Sequence, residues 1–326
     1  MSSISSYYQT FSRFVANRWV AAAVAIIPAT YWLGGAYAAI GAVGALFLAN
    51  RVGENQIEGA PRGIPNQGNT CFAASLVQMI ANSPQLKKGF RDMYQELIRT
   101  GNSNKKEAES IGKIVEVLGQ YERKEGIQIG SLHSIFGENN DQQDATELLN
   151  KVIPDNIPES IGIKIPEFSP SRKEYVEGPL KFPMLIVKVP PSGGRTHLLE
   201  ALFFTQMQQY RDTGSEYARD FREGETHSIN RLIKAPEIFI FSLVGKREIE
   251  IPLIFEFPNY LLDNSPEYTL QSFLVHLGNG EEGHYIAYVM KDNKFYQLND
   301  GRVESISQKQ YLEAAQKAYL VNYSRS

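Results

Sequence analysis

One cysteine stands in a setting that can make it a nucleophile. Cys71 is the only cysteine among 326 residues, and it follows a turn-forming Gly-Asn-Thr run at the start of an apolar stripe with helical spacing. Unpaired N–H groups and a partial positive charge at a helix N-terminus favour a thiolate over a thiol. Asn66, five residues earlier, carries an amide that can donate to an oxyanion. This pattern predicts thiol-based acyl transfer, whereas a lone buried structural cysteine is the plain alternative.

A thiolate nucleophile needs a general base, and His284 is the best placed of the five histidines. It lies between a glycine-rich loop and an alternating strand, and Asn299 and Asp300 end the next predicted strand. A hairpin would bring one of these two side chains to the imidazole, where it can hold the orientation of the ring. A cysteine followed roughly 200 residues later by histidine and Asn or Asp is the order of papain-like cysteine hydrolases. The weaker candidates are His133, His197, His227 and His276.

The composition excludes several function classes. Hydrophobic residues make up 43% and charged residues 21% of the chain, which is typical of a globular protein. The net charge of −3 gives no basic field, so nucleic acid is not an expected partner. A single cysteine rules out a disulfide framework and a multi-cysteine zinc site, and it fits a reducing compartment. Neither a metal nor a cofactor is expected.

Hydrophobic periodicity divides the chain into a helical first half and a β-rich second half, which predicts an α+β fold. Helical stripes cover residues 71–80, 86–97, 111–118 and 145–153, and Asn140 or Asp141 is the expected N-cap of the last one. The predicted strands are the runs LKFPMLIVKV, EIFIFSLV, EIEIPLIF, YTLQSFLVHL, HYIAYVM and KFYQL.

The N-terminal region contains a long uncharged run from Trp19 to Asn50. It exceeds the roughly 20 apolar residues that cross a bilayer as a helix. We therefore expect a polar tail at 1–18, a transmembrane or hairpin anchor at 19–50, a linker at 51–61 and a catalytic domain at 62–326. The expected localisation is membrane-associated, with the catalytic domain facing a reducing cytosol at an organelle membrane, or at a host membrane for a bacterial effector. A secretory signal peptide and a buried helical hairpin are the alternatives.

Three sequence boxes together resemble the ubiquitin-specific protease family of papain-like deubiquitinases. The first runs from Gly63 to Phe72 as GIPNQGNTCF and continues into SLVQ; the second, from Gln142, is QQDA followed by ELL; the third, from Gly283, is GHYIAY, followed by FY and ND. The closing AYLVNY is similar to the last strand of that family, and APEIFI, more loosely, to an earlier one.

The resemblance implies a fold and a set of catalytic roles. The fold would be that of a papain-like cysteine protease, with a helical N-terminal lobe and an antiparallel β-rich C-terminal lobe. Cys71 would be the nucleophile, His284 the general base and Asn299 the third triad member, with Asp300 as a second candidate for that place. Asn66 would help to form the oxyanion hole.

The resemblance also implies ubiquitin, or a ubiquitin-like modifier, and ubiquitinated proteins as partners, and the run at 19–50 would add the membrane as a partner. Asp144 would bind the backbone of the ubiquitin tail, and Gln143 and Glu147 are further candidates for contacting it. The chain departs from the family at Ala74, where Asn is common, and it lacks the paired Cys-x-x-Cys motifs, so a reduced or zinc-free fingers subdomain is expected. The implied activity is hydrolysis at the C-terminal glycine of ubiquitin. A catalytically weak modifier-binding module and an isopeptidase for another modifier are the alternatives.

Overall fold

The computed structural model describes most of the chain from Gly59 onward. The described residues are 59–101, 105–124, 126–136, 141–154, 157, 163–169, 174–189, 196–202, 205, 232, 234–245, 248–259, 262–278 and 283–326. The chain divides into two units, Met1–Gly59 and Ala60–Ser326, and every element named below lies in the second.

The first lobe is helical, as the periodicity predicts. Its elements are α1 (Cys71–Ala81), α2 (Pro84–Thr100), α3 (Lys105–Glu122), a 3₁₀ helix (Ile129–Phe136) and α4 (Ala145–Val152). Every residue of α1 is buried, because the helix lies between its helical neighbours and the sheet. Pro84 begins α2, where its missing N–H costs no hydrogen bond, and Gly101 ends it in the left-handed conformation. The N-cap of α4 is Asp144, not Asn140 or Asp141 as expected.

The second lobe is built on strands. Its elements are β1 (Ile163–Ser169), β2 (Glu174–Lys181), β3 (Met184–Lys188), β4 (Thr196–His197), β5 (Ile238–Val244), β6 (Ile249–Glu250), β7 (Ile254–Phe255), β8 (Tyr268–Gly278), β9 (Gly283–Lys291), β10 (Lys294–Asn299), β11 (Arg302–Ile306), α5 (Gln308–Ala315) and β12 (Ala318–Arg325). The predicted run EIEIPLIF forms two short strands, β6 and β7, separated by a segment that contains Pro252.

The main sheet has the strand order β11-β10-β9-β8-β12-β5-β3, and β7 pairs with β8 beside this path. All of its pairings are antiparallel except β3 with β5. One buried cluster joins the helical lobe to one part of the sheet, and a second, rich in aromatic rings, joins the sheet to α5. The α+β prediction is therefore confirmed, and α1 lies against the strands that carry the third sequence box.

The structure contradicts the predicted membrane-associated localisation. In the part of the chain that the structure describes, no helix combines the length and the apolar character needed to cross a bilayer. The tail at 1–18 and the anchor at 19–50 lie outside the described residues, as do residues 51–58 of the linker at 51–61.

Candidate active site

The loop before α1 is held by the side-chain oxygen of Asn66. That oxygen accepts hydrogen bonds from the backbone N–H of Gly68 at 3.1 Å, the N–H of Thr70 at 3.2 Å and the Thr70 hydroxyl at 3.1 Å. Because three donors surround the oxygen, the amide can point only its NH₂ group outward. The Asn66 Nδ2 therefore faces the site as a donor, 3.4 Å from Asp300 Oδ2.

A second side chain ties this loop to the helical lobe. The Gln67 amide donates to the Ile127 carbonyl at 2.8 Å and accepts from the Gly130 N–H at 3.1 Å. Its backbone N–H donates to the Thr70 hydroxyl at 2.8 Å. The loop is therefore held to the helical lobe and to the start of α1, and these hydrogen bonds fix where Cys71 lies.

Cys71 begins α1 and is 97% buried, since only 3% of its surface is exposed. Burial raises the pKa of its thiol, and the negative charge of Asp300 adds to the rise. The backbone N–H groups of Tyr285, Phe72 and Cys71 itself oppose it by lowering that pKa. The sequence argument from the helix N-terminus predicts a lowered pKa, so the net direction is a correction, and its cause is desolvation.

The backbone next to His284 lies close to this sulfur, because the N–H that donates toward Cys71 belongs to the next residue, Tyr285. The imidazole Nε2 is 2.6 Å from Asn299 Oδ1, across the hairpin of β9 and β10. A carbonyl oxygen only accepts, so Nε2 carries the proton and Nδ1 keeps its lone pair. An imidazole held in this tautomer can take a proton from a thiol.

Asp300 follows Asn299 in the left-handed conformation, with φ of 51°, and its carboxylate Oδ2 is 3.9 Å from His284 Nε2. Burial raises the pKa of this carboxyl, while the charge of His284 and the hydrogen bond from Asn66 lower it. Among the described residues, the buried Oδ1 has no hydrogen-bond partner. Asn299 is thus the direct partner of the imidazole, and Asp300 links it to Asn66.

The turn at residues 299–301 packs directly against the region of the nucleophile. The Asp300 carbonyl accepts from the Ile64 N–H and from the Gln78 side chain, each at 2.9 Å. A β-carbon added to Gly63 would lie 2.2 Å from the Gly301 carbonyl oxygen, so no side chain fits there. Gln78 lies two helical turns after Cys71 on α1, so one helix carries both the thiol and the side chain that holds this turn.

The second sequence box lies next to β9. The Asp144 Oδ1 accepts from the N–H groups of Thr146 and Glu147, at 2.7 and 2.9 Å, and so caps α4. Its Oδ2 accepts from the Tyr285 hydroxyl at 3.0 Å and from the Tyr319 hydroxyl at 2.5 Å. Burial raises the pKa of Tyr319 to about 12 and that of Tyr285 further. Both hydroxyls therefore remain protonated donors, and the carboxylate makes four internal hydrogen bonds.

The other two candidates for binding the ubiquitin tail are Gln143 and Glu147. Gln143 is half-buried beside Asp144. Glu147 is exposed on the first turn of α4, and its carboxylate pairs with Lys151 at 3.4 Å. The structure therefore brings Cys71, His284, Asn299, Asp300 and Asn66 together, and it leaves Glu147 directed to a neighbour on its own helix.

The remaining described histidines occupy other settings. His133 is buried in the 3₁₀ helix, with its ring edge-on to Phe72. His197 belongs to β4, and His276 on β8 stacks on the Tyr285 ring with centroids 4.4 Å apart. His227 lies outside the described residues. Across the described ranges, no group of three or more His, Cys, Asp or Glu side chains could hold a metal ion.

Sequence reasoning gave no individual role to several residues that shape this site. Gln78 and Gly63 belong to the first box and Tyr285 to the third, whereas Tyr319 belongs to the closing strand. Gln142 opens the second box, and its amide makes two hydrogen bonds to the backbone of Gly283. The sequence boxes that contain these residues could have pointed to a role for most of them. Their contacts, however, depend on tertiary packing, which the spacing of residues along the chain does not reveal.

The fold and the site together define a papain-like cysteine hydrolase. The family model described as ubiquitin carboxyl-terminal hydrolase matches residues 62–323. Because this match covers most of the chain, the protein belongs to the ubiquitin carboxyl-terminal hydrolase family and is a cysteine-type hydrolase with a deubiquitinase domain. No curated protein matches the sequence.

Solved structures share the fold at low sequence identity. A chain of the SAGA DUB module of Ubp8, Sgf11, Sus1 and Sgf73 bound to monoubiquitin has a TM-score of 0.54 and 18% identity, with 90% of this chain and 76% of that chain covered. The module bound to ubiquitin aldehyde gives a TM-score of 0.52 at 17% identity, with 90% and 76% covered. A yeast module with an Sgf73 variant gives 0.52 at 19% identity, with 81% and 68% covered.

Proposed function

We propose that the protein hydrolyses the peptide or isopeptide bond that follows the C-terminal glycine of ubiquitin, and that residues 62–326 form the catalytic domain. The proposal depends above all on the contact between His284 Nε2 and Asn299 Oδ1 at 2.6 Å, one residue before the N–H of Tyr285 that donates toward the buried thiol of Cys71. This arrangement supplies a nucleophile, a base of defined tautomer and an orienting amide. Structural relatives that carry ubiquitin or ubiquitin aldehyde support ubiquitin as the modifier.

The first half-reaction acylates the enzyme. The Cys71 thiol gives its proton to His284 Nδ1, and the thiolate attacks the carbonyl carbon of the terminal glycine. The Asn66 Nδ2 and the N–H of Cys71 donate to the oxyanion that forms. The carbon–nitrogen bond then breaks, the leaving amine takes the proton from His284, and a thioester to Cys71 remains.

The second half-reaction releases ubiquitin. His284 takes a proton from water, and the hydroxide formed attacks the thioester carbonyl. The carbon–sulfur bond breaks, the thiolate recovers the proton from His284, and the glycine leaves as a carboxylic acid that loses its remaining proton to the solvent. Asn299 holds the imidazole orientation through both steps, and Asp300 holds the Asn66 amide near the oxyanion.

Ubiquitin recognition is the second part of the proposal. Asp144 bonds to Tyr285 on β9, so a tail that enters along this strand passes Asp144 and its sequence neighbour Gln143. Glu147 is exposed nearby and can attract the basic residues of a tail in exchange for its pairing with Lys151.

The test uses the full-length protein and a ubiquitin probe with a C-terminal electrophile. We expect a covalent adduct with the wild type and none with Cys71→Ser, which keeps the size of the side chain but not the thiol. Hydrolysis of ubiquitin-aminomethylcoumarin should disappear in the same variant. A folded wild type that neither forms the adduct nor turns over the substrate, while it reacts with the matching probe of a ubiquitin-like modifier, would reject ubiquitin as the substrate.

A further inference from the structure

The edge of β9 that faces the active site is only partly paired with β10. In the described register, β10 pairs with β9 from Lys291 to Ala287 and does not reach Gly283. On the other edge, β8 pairs with β9 as far as Gly283. Backbone N–H groups of alternate residues on a strand face the same edge. The N–H groups of Gly283 and Tyr285 therefore share an edge, and that of Tyr285 points toward the Cys71 sulfur.

Gln142 supplies the pairing partner that Gly283 lacks from β10. Its side-chain Nε2 donates to the Gly283 carbonyl at 2.7 Å, and its Oε1 accepts from the Gly283 N–H at 3.3 Å. Two residues of an antiparallel ladder exchange the same pair of N–H···O bonds. The amide of Gln142 thus takes the place of one strand residue at the end of β9.

Asp144 makes a second attachment to the same strand, two residues further on. The backbone at Asp144 is extended, with ψ of 133°, and its carboxylate accepts from the Tyr285 hydroxyl. The spacing of Gln142 and Asp144 therefore matches that of Gly283 and Tyr285. His284 lies between the two attached residues, with its side chain on the opposite face of the strand from that of Tyr285.

We propose that Gln142 is a positioning residue for His284. By fixing the backbone of Gly283 while Asp144 fixes the ring of Tyr285, it sets the rotation of β9 about its own axis. That rotation directs the imidazole toward both Asn299 and Cys71. The inference depends on the proposed function only in taking His284 as the base.

The test measures the reactivity of Cys71 without any substrate. Iodoacetamide alkylation of the full-length protein is followed against pH, together with kcat and KM for ubiquitin-aminomethylcoumarin. Gln142→Met keeps the size of the side chain and removes both hydrogen bonds. We expect a changed alkylation profile and a kcat lower by about 10- to 100-fold, because a shift of about 1 Å can cost about 100-fold in rate. KM should stay within about twofold of the wild type.

Gln310→Met is the matched control, because Gln310 also bonds through its side chain but caps α5 at its N-terminus. Its alkylation profile and kcat should equal those of the wild type. If Gln142→Met no longer unfolds cooperatively, Gln142→Glu replaces it, with Gln310→Glu as its control. Gln142→Glu tests the same role, because a carboxylate cannot donate a hydrogen bond to the Gly283 carbonyl.

Two outcomes overturn the inference. If Gln142→Met has an unchanged alkylation profile and a raised KM, Gln142 contacts the substrate and does not position His284. If no measurement changes, Gln142 has no role in the site. A wild type that turns over no ubiquitin substrate, yet whose alkylation profile responds to Gln142→Met, would reject the proposed function and support the positioning role.

Discussion

The Asp300 carboxylate influences two neighbours at the active site in different ways. Its charge adds to the rise in the pKa of the Cys71 thiol, which makes the reactive thiolate harder to form. The same carboxylate accepts a hydrogen bond from Asn66 and lies 3.9 Å from the imidazole of His284. A single side chain thus orders the amide of Asn66 while it disfavours the thiolate of Cys71.

Asp300→Asn should shift the pH profile of Cys71 alkylation to lower pH. The substitution removes a negative charge near the sulfur, so the pKa of the thiol falls and more thiolate exists at any pH below the midpoint. Iodoacetamide reactivity of the full-length protein measures this. Asp292→Asn, the same charge change on the exposed β9–β10 turn, should leave the profile in place. A shift to higher pH would show that the carboxylate acts mainly by stabilising a protonated His284.

At the scale of elements, the site depends on the contact between the first box and the turn after β10. The Ile64 N–H and the Gln78 side chain both bond to the Asp300 carbonyl, and Gly63 lies against Gly301. Cys71 and the residues of the third box belong to parts of the chain that are far apart in sequence. The geometry of the proposed triad therefore depends on how closely these two backbone segments approach.

Gly63→Ala should separate the two segments. The added β-carbon would lie 2.2 Å from the Gly301 carbonyl oxygen, so one backbone must move. We expect a loss of about 1–3 kcal/mol in the free energy of unfolding, as for overpacked sites. The kcat should fall by about 10- to 100-fold as Asn299 and Asp300 move away from Cys71. Denaturant unfolding and steady-state hydrolysis measure the two effects.

Gly126→Ala is the control for this prediction, because a β-carbon at Gly126 meets no atom within 4 Å. It should leave both the stability and the turnover close to those of the wild type. A Gly63→Ala variant with wild-type kcat would mean that the turn can shift without disturbing the triad.

Sequence patterns predicted the elements of the site better than its contacts. The spacing around Cys71 predicts a helix that begins there, and the strand of His284 and the hairpin to Asn299 were predicted from alternation and turn residues. The direction of the Cys71 pKa was missed because desolvation depends on packing from distant strands. The two hydrogen bonds from tyrosine hydroxyls to Asp144 were missed for the same reason, since Tyr285 and Tyr319 reach it only in the folded sheet.

At the scale of the whole molecule, two buried clusters join different parts of the structure. One joins the helical lobe to the sheet and includes Cys71. The other contains an aromatic group around Phe241, whose ring lies near those of Phe239, Phe255 and Tyr323. The active-site residues contact the first cluster, so we expect the second to contribute to stability and not to chemistry.

Phe241→Leu should therefore reduce stability and leave catalysis unchanged. Replacing the fully buried ring leaves unfilled volume and removes the aromatic contacts, and we expect a loss of about 1–2 kcal/mol in the free energy of unfolding. The measurements are the denaturant midpoint and the kcat for ubiquitin-aminomethylcoumarin at a temperature where the variant is fully folded. A marked fall in kcat under those conditions would show that the two clusters are coupled through the sheet.

The order of helices and then strands made the overall α+β class predictable from periodicity alone. The parallel pairing of β3 with β5, within an otherwise antiparallel sheet, was not predictable, because strand partners that are distant in sequence leave no local pattern.

The position of Cys71 has a practical consequence for anyone who handles this protein. The chain has no other thiol, and this one is buried where the backbone N–H of Tyr285 donates toward it. If Cys71 is the nucleophile, as proposed, a reagent that reaches it in the native protein therefore counts catalytic centres. A mass spectrum of the intact protein then gives the labelled fraction without a background from other thiols.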